Sequence, residues 1–193
     1  MSQEIEIEYK NLLTKQEFDY LLGHFPFPQN SQKQTNFYFE TENFSLKENG
    51  AALRIREKDG HYRLTLKEPH QDGLLETHDT LTEAEAMNWL QGNNVAKENT
   101  KKQLKNMQIE TKNLNYYGSL TTERRELEYN QVLLVLDYSI YNGQADYELE
   151  LEAPSEAIGS EMFNGLLAEY HIPKRTTPNK IKRFFSSISN KHT

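Results

Sequence analysis

Charged side chains occupy every second position of the segment Gln3–Lys10, namely Glu4, Glu6, Glu8 and Lys10. Apolar side chains separate them, which predicts a β-strand with one charged and one apolar face. Carboxylates two positions apart on a strand lie about 7 Å from each other and, at an effective dielectric of about 20, repel by about 2 kcal/mol. Water screens that repulsion on an open sheet. Inside a closed fold, a divalent cation is the usual counter-charge.

Basic side chains share single faces in two further predicted strands. Arg54 and Arg56 lie together on one face of Ala52–Lys58, and Lys67 shares a face of His61–Glu68 with other polar side chains. Guanidinium and ammonium groups gathered in this way are suited to binding phosphate oxygens. These faces therefore indicate an anion site.

Acidic side chains form the matching pattern near the end of the chain. Glu148, Glu150 and Glu152 share one face of Gln144–Ala153. Asp137 follows a run that is apolar on both faces, so we expect a buried carboxylate that solvation does not explain. Carboxylates in this arrangement are suited to holding a divalent metal.

Alternation also separates two adjacent arginines within Asn115–Tyr129. Arg124 shares its face with Glu126, whereas Arg125 shares the opposite face with Leu127. Arg124 is therefore the better candidate for the charged face. On the strand before it, Glu76 and His78 share a face in the same manner.

Each charged face has a simpler interpretation as the solvent-facing side of an open sheet, where cross-strand pairs contribute roughly a few tenths of a kcal/mol. That interpretation suits any one strand. It suits the whole set less well, because clusters of a single sign repel each other at a wet surface and serve binding better. Acidic and basic clusters in one cavity would bind a metal–polyphosphate complex.

The composition excludes several classes of protein. The chain has 193 residues, a formal net charge of -7 and no cysteine. Acidic charge argues against nucleic acid as the main partner, and the lack of cysteine excludes disulfides, thiol catalysis and cysteine-bound zinc. The sequence contains no apolar run near the ~20 residues of a membrane span and no signal-peptide pattern at its start. We expect a single cytoplasmic domain over residues 1–193.

Alternating segments predict about eight strands in hairpin order: Gln3–Lys10, Gln34–Phe39, Ala52–Lys58, His61–Glu68, Leu74–Leu81, Asn115–Tyr129, Val132–Tyr141 and Gln144–Ala153. Asp59-Gly60 and Asn142-Gly143 are typical two-residue hairpin turns. Strands connected in this way, with helices between and after them, predict a closed antiparallel barrel or a strongly curved sheet.

Capping boxes, each a Thr followed three residues later by a Glu, begin two predicted helices over Thr14–Gly23 and Thr82–Gln91. The second helix carries Trp89, which we expect in the core. A third helix is predicted over Ser155–Tyr170. The basic tail Lys174–Thr193 is interpreted as an amphipathic helix.

The segment Glu6-Ile-Glu-Tyr-Lys10 fits the ExExK signature of the CYTH superfamily, also called the triphosphate tunnel metalloenzymes. Asn179-Lys180 stands where the family usually has Ser-Lys. The resemblance spans essentially the whole chain and is closest to small stand-alone bacterial CYTH proteins. Further matches follow in the family's order: Leu53-Arg-Ile-Arg56, Leu64-Thr-Leu-Lys67, Glu76, Arg124, Asp137 and Glu148-Leu-Glu-Leu-Glu152.

The resemblance implies an α+β fold, in which helices surround a closed eight-stranded antiparallel tunnel that binds triphosphate compounds and Mg²⁺ or Mn²⁺. By position it implies phosphate contacts from Lys10, Arg54, Arg56, Lys67, Arg124 and Lys180, with Lys182 as a substitute for Lys180. It implies metal ligands at Glu6, Glu8, Asp137, Glu148 and Glu150, with Glu152 and Glu4 as additions. The catalytic set would be Glu6, Glu8, Lys10 and Glu76, with Glu76 orienting a basic neighbour or a water.

The preferred hypothesis is metal-dependent hydrolysis of a terminal phosphoanhydride in a small triphosphate compound. One alternative is a class IV-type adenylyl cyclase that makes cyclic AMP from ATP. Another is a non-catalytic sensor that binds polyphosphate or a nucleotide. Binding of nucleic acid through the tail Lys174–Lys191 is the least favoured alternative, because a basic amphipathic helix explains that tail equally well.

Overall fold

The computed structural model describes residues 2–95 and 97–189. Within these residues the strands are β1 (Gln3–Glu6), β2 (Glu8–Leu13), β3 (Gln32–Thr41), β4 (Ala52–Lys58), β5 (His61–His70), β6 (Gly73–Leu81), β7 (Leu114–Tyr129), β8 (Val132–Tyr141) and β9 (Gln144–Glu152). The helices are α1 (Lys15–His24), α2 (Ser45–Glu48), α3 (Glu83–Leu90), α4 (Glu98–Asn106), α5 (Glu156–Glu169) and α6 (Lys180–Ser189), with a 3₁₀ turn at Thr111–Asn113.

The chain divides into two compact units. The first unit comprises the residues up to Glu6 together with Gln34–Leu120. The second comprises Ile7–Lys33 and the residues from Thr121 onwards. Both are built from antiparallel strands with helices, so the predicted α+β class is confirmed.

In the first unit the strands follow the order β1-β6-β5-β4-β3. The apolar faces of β4 and β5 pack with α3 and α4, and the buried core includes Leu53, Ile55, Leu64 and Trp89. Since side chains alternate along a strand, this packing turns Arg54 and its neighbours on the charged positions to the opposite face.

In the second unit the order is β7-β8-β9-β2. Leu134, Leu136, Leu149 and Leu151 form the apolar face and pack with α1 and α5, where Phe163 is one of the buried partners. Burial of each such side chain is worth about 1.5–3 kcal/mol. As in the first unit, two helices, here α1 and α5, cover the apolar face, and the charged positions of the strands lie on the other face.

The prediction of one strand over Gln3–Lys10 was wrong. The segment forms two strands separated at Ile7: β1 pairs with β6, and β2 pairs with β9. The described residues consequently contain nine strands, where about eight were expected. The closure of the strands into a barrel stays a prediction.

The predicted helix starts are confirmed. Thr14 Oγ1 accepts the backbone N–H of Glu17, whose carboxylate accepts the N–H of Thr14, and the same reciprocal pair forms at the start of α3. The predicted hairpin turns are also present, with Asp59 and Asn142 at positive φ. Within the described ranges, none of the helices has the length and apolar character that a membrane crossing requires.

Candidate active site

Strand register assembles a charged cluster in the first unit, which we call the Lys67 cluster. It comprises Glu4 and Glu6 of β1, Arg54 of β4, Lys67 of β5, and Glu76 and His78 of β6. Neighbouring strands place Lys67 directly opposite Glu76. The cluster therefore follows from the pairing of β1, β6, β5 and β4.

Glu76 is the centre of this cluster and is only 6% exposed. Its Oε1 lies 2.6 Å from Lys67 Nζ and 3.7 Å from Arg54 Nη2. Lys67 also forms an ion pair with Glu6. The Lys67 ammonium group thus lies between the carboxylates of Glu6 and Glu76, and the orienting role expected of Glu76 stays a prediction.

His78 links the cluster to the end of β1. Its Nδ1 lies 3.0 Å from Thr65 Oγ1, and its Nε2 lies 2.9 Å from Glu4 Oε1 and 3.4 Å from Glu76 Oε2. Burial lowers the pKa of His78 and so favours the neutral ring, although the hydrogen bond with Glu4 acts in the opposite direction. The ligand atoms of Glu4, Glu76 and His78 lie within 4.8 Å of one another, close enough to hold a metal ion.

The two arginines of β4 differ in their partners. Arg56 Nε donates to Asn36 Oδ1 at 3.0 Å. The buried Nε of Arg54 has no hydrogen-bond acceptor within the described part of the chain. A buried guanidinium N–H without an acceptor is costly, so this group is suited to receiving an anionic oxygen from a ligand.

A second group of charges, the Lys180 cluster, lies in the second unit. It comprises Arg124 of β7, Asp137 of β8, Asp146, Glu148 and Glu150 of β9, and Lys180 and Arg183 of α6. Register places Asp137 opposite both Arg124 and Glu148. Asp137 and Glu148 are completely buried.

Three carboxylates of this cluster converge on one ammonium group. Lys180 Nζ lies 2.9 Å from Asp137 Oδ2, 3.1 Å from Glu148 Oε1 and 2.5 Å from Glu150 Oε1. Arg124 binds Asp137 through Nε and Nη2 and reaches Glu150 Oε2 at 2.6 Å. The three carboxylates are therefore buried oxygen ligands that converge on the Lys180 ammonium group, and two of them are also bound by Arg124.

The buried carboxylates of β9 ionise differently. Burial raises the pKa of Glu148 to about 7, against the opposing effect of Lys180. Burial alone would raise the pKa of Glu150 as well, but Lys180 and Arg124 hold it well below its usual range. Glu150 is thus the permanent anion of the pair, and a cation near Glu148 would favour its ionised form.

Strand β2 carries the rest of the amino-terminal motif in this unit. Lys10 forms an ion pair with Glu8. Across the strand pair, Glu8 lies opposite Glu152 and Lys10 lies opposite Glu150. β2 therefore brings these two predicted residues to the charged face of β9.

Sequence comparison identifies the family. The CYTH domain matches residues 4–185. The chain belongs to the CYTH domain family. A Bacillus subtilis protein named "putative triphosphatase YjbK" is 48% identical over 186 residues, which is 96% of both chains.

Two solved structures resemble that of this chain. A crystal structure from Bacillus halodurans, described as a "putative adenylate cyclase", has a TM-score of 0.92 and 40% identity, and covers 96% of this chain and 100% of its own. A Hippeastrum protein, HpAC1, described as a "putative adenylyl cyclase" with a dominant triphosphatase activity, has a TM-score of 0.77 at 22% identity. Its alignment covers 94% of this chain and 96% of that one, a likeness that concerns the fold.

The structure distributes the predicted residues between the two units. Glu6, Arg54, Arg56, Lys67 and Glu76 lie in the first, whereas the second contains Glu8, Lys10, Arg124, Asp137, Glu148, Glu150, Glu152, Lys180 and Lys182. Lys180 is buried among carboxylates and Lys182 is exposed, so the geometry favours Lys180 over its suggested substitute.

Two members of the Lys180 cluster, Asp146 and Arg183, were not predicted from the sequence. Asp146 occupies the same face of β9 as Glu148, two positions earlier, and the alternation could have identified it. Arg183 follows Lys180 by three residues and therefore lies on the same side of α6. Arg183 Nε binds Asp146 Oδ2 at 3.0 Å, and its Nη2 pairs with Glu148.

Proposed function

We propose that this CYTH protein is a divalent-metal-dependent triphosphatase that hydrolyses the terminal phosphoanhydride bond of a triphosphate compound. The observation that carries the proposal is the convergence of three buried carboxylates on one cationic position at Lys180. The relative that is 48% identical, named a triphosphatase, supports the same reaction. Phosphoryl transfer needs mainly positioning and neutralisation of charge, which such clusters supply.

In this proposal the basic side chains bind the phosphate oxygens. Arg54 has the strongest support, because its buried Nε offers a hydrogen bond that the described chain leaves unused. Lys67 is held in place by Glu76, which we assign as its orienting residue. The proposed phosphate-binding set is Lys10, Arg54, Arg56, Lys67, Arg124 and Lys180.

The proposed metal is Mg²⁺ or Mn²⁺, for which carboxylate oxygens are the preferred ligands. Asp137, Glu148 and Glu150 fit this requirement, because each places a carboxylate oxygen within 3.1 Å of one cationic group, the Lys180 ammonium. Glu6, Glu8 and Glu152 complete the proposed set. When bound, the metal neutralises charge on the phosphate oxygens and acidifies a coordinated water.

The protein's own residues would then orient the triphosphate for attack by water on its terminal phosphorus. We assign Glu6, Glu8, Lys10 and Glu76 to this step. The carboxylates hold the water or accept its proton, and the lysine stabilises the charge of the leaving diphosphate. We further propose that residues 1–193 act as one domain in the cytoplasm, on a small molecule rather than on nucleic acid or a membrane.

Cyclisation of ATP is the second candidate, since a structure 40% identical to this chain is described as a "putative adenylate cyclase". Product analysis separates the two reactions. The purified protein is incubated with ATP or inorganic triphosphate and Mg²⁺, and the products are resolved by ³¹P NMR. Orthophosphate supports hydrolysis. Cyclic AMP with pyrophosphate contradicts it and supports the cyclase, while tight binding without turnover supports the sensor.

A further inference from the structure

The helix that carries Lys180 is fastened to β9 by a second basic residue. Arg183 places Nε 3.0 Å from Asp146 Oδ2 and Nη2 3.3 Å from Asp146 Oδ1. The same Nη2 also binds Glu148, which in turn contacts Lys180 Nζ at 3.1 Å. Glu148 is therefore shared by both basic residues of α6.

Two basic residues of α6 pair with three alternate acidic residues of β9. Lys180 and Arg183 are one helical turn apart, about 4.5 Å along the axis, while alternate residues of β9 are about 7 Å apart. Lys180 contacts Glu148 and Glu150, and Arg183 contacts Asp146 and Glu148. The two basic side chains of α6 therefore face three alternate carboxylates of β9, and Glu148, the middle one, contacts both.

Further bonds hold Asp146 and the end of α6. Tyr141 donates its hydroxyl to Asp146 Oδ2 at 2.7 Å, which fixes the carboxylate that Arg183 grips. Asn142, in the β8–β9 turn, donates to Ser187 Oγ at 2.8 Å. The Tyr141 hydroxyl therefore helps to fix the orientation of the Asp146 carboxylate that Arg183 contacts.

We propose that Arg183 is a positioning residue, which acts through Asp146 and Glu148 to hold the ammonium group of Lys180 at the carboxylates of β9. The role of Lys180 in turnover rests on the proposed function, whereas its placement does not. Arg183 contacts both Asp146 and Glu148 through Nε and Nη2. Arg183→Lys could not keep all of these contacts, because an ammonium group lacks the planar fork of a guanidinium group.

A double-mutant cycle tests this role. Arg183→Ala and the near-isosteric Asp146→Asn are made alone and in a Lys180→Ala background, and Ser186→Ala, at an exposed position of α6, is the control. We expect each single variant to lower kcat/KM for inorganic triphosphate about 10-fold or more. In the Lys180→Ala background neither should lower it further, because a residue that acts through Lys180 has nothing left to position.

A second readout does not depend on activity. The folded protein is treated with an amine-acylating reagent, and the labelling of Lys180 is followed by mass spectrometry. Labelling of Lys180 should be slow in the wild type and in Ser186→Ala, and several-fold faster in Arg183→Ala and Asp146→Asn. Circular dichroism at the labelling temperature verifies that each variant is folded. The proposal is overturned by unchanged labelling of Lys180 in folded variants, or by full additivity in the cycle. If the wild type releases no phosphate, the proposed function fails and the labelling alone decides the placement of Lys180.

Discussion

Arg124 and Asp137 lie opposite each other on β7 and β8 and share two hydrogen bonds, of 2.8 and 2.6 Å. Asp137 is completely buried, and the carboxylates of Asp137 and Glu150 raise the pKa of Arg124 despite its burial. Arg124 therefore stays protonated, and its two hydrogen bonds satisfy both carboxylate oxygens of the buried Asp137.

Removing one member of this pair should destabilise the protein strongly. Arg124→Ala leaves Asp137 and Glu150 with less compensation, and we expect the free energy of unfolding to fall by about 3–5 kcal/mol. The double variant Arg124→Met/Asp137→Leu should recover much of that loss while remaining inactive. Urea denaturation measures both. Arg125→Ala is the control. If the free energy of unfolding of Arg124→Ala, like that of the control, fell by less than about 1 kcal/mol, the role of the buried pair would be contradicted.

Arg54 should bind triphosphate directly. A hydrogen bond to a charged group contributes about 1.5–3 kcal/mol, so Arg54→Ala should raise the Kd for inorganic triphosphate roughly 10-fold or more. Isothermal titration calorimetry in EDTA measures this without turnover. Lys101→Ala removes an exposed charge of α4 and is the matched control. Equal affinities of the two variants would argue against a phosphate contact at Arg54.

Two glycines of α5 should respond oppositely to alanine. A Cβ at Gly159 would lie 2.4 Å from Tyr9 Cε2 and 2.9 Å from the Cβ of Ala153, so Gly159→Ala should destabilise the packing of α5 on β2 by about 1–3 kcal/mol. A Cβ at Gly165 meets no atom within 4 Å, and Gly165→Ala should stabilise the helix by roughly 0.5–1 kcal/mol. Thermal unfolding of both variants checks the prediction, and a stabilised Gly159→Ala would show that α5 packs differently.

Stability should depend on pH through Glu17. Hydrogen bonds from Arg175, together with those from Thr14, lower the pKa of Glu17 below its usual value despite partial burial. A lowered carboxyl pKa gives stability that is present above the unfolded pKa of about 4.3 and is lost as pH falls through the folded pKa.

The matched measurement compares wild type with Glu17→Gln. The variant should be less stable at pH 7, and the difference in unfolding free energy should shrink as the pH falls below about 4. A difference that stays constant with pH would mean that the ionised carboxylate of Glu17 contributes nothing through its charge.

The alternation of side chains predicted the charged faces well, because the two-residue period of a strand is local and independent of its partners. It placed Arg54 and Glu150 on faces opposite to apolar cores. The capping boxes at Thr14 and Thr82 could also be predicted, since a helix start depends on a few adjacent residues.

The division of Gln3–Lys10 into two strands could not be predicted. The segment contains neither Gly nor Pro, so nothing in its sequence indicates a break at Ile7. The break arises because β1 pairs with β6 while β2 pairs with β9. The pairing of Arg124 with Asp137 was likewise hidden, because it depends on strand register and on rotamers. α2 was missed for a related reason: it follows Phe44, a residue that seldom adopts the positive φ of 59° found here.

The most direct test of the central claim is the release of orthophosphate from inorganic triphosphate by the purified protein. The reaction is run with Mg²⁺, with Mn²⁺ and with EDTA, for the wild type and for Glu150→Gln, with Lys101→Ala as the control. The proposed function predicts release that requires a divalent metal, survives in Lys101→Ala and is largely lost in a folded Glu150→Gln. Release that persists in EDTA, or a wild type that releases no phosphate with either metal, would contradict it.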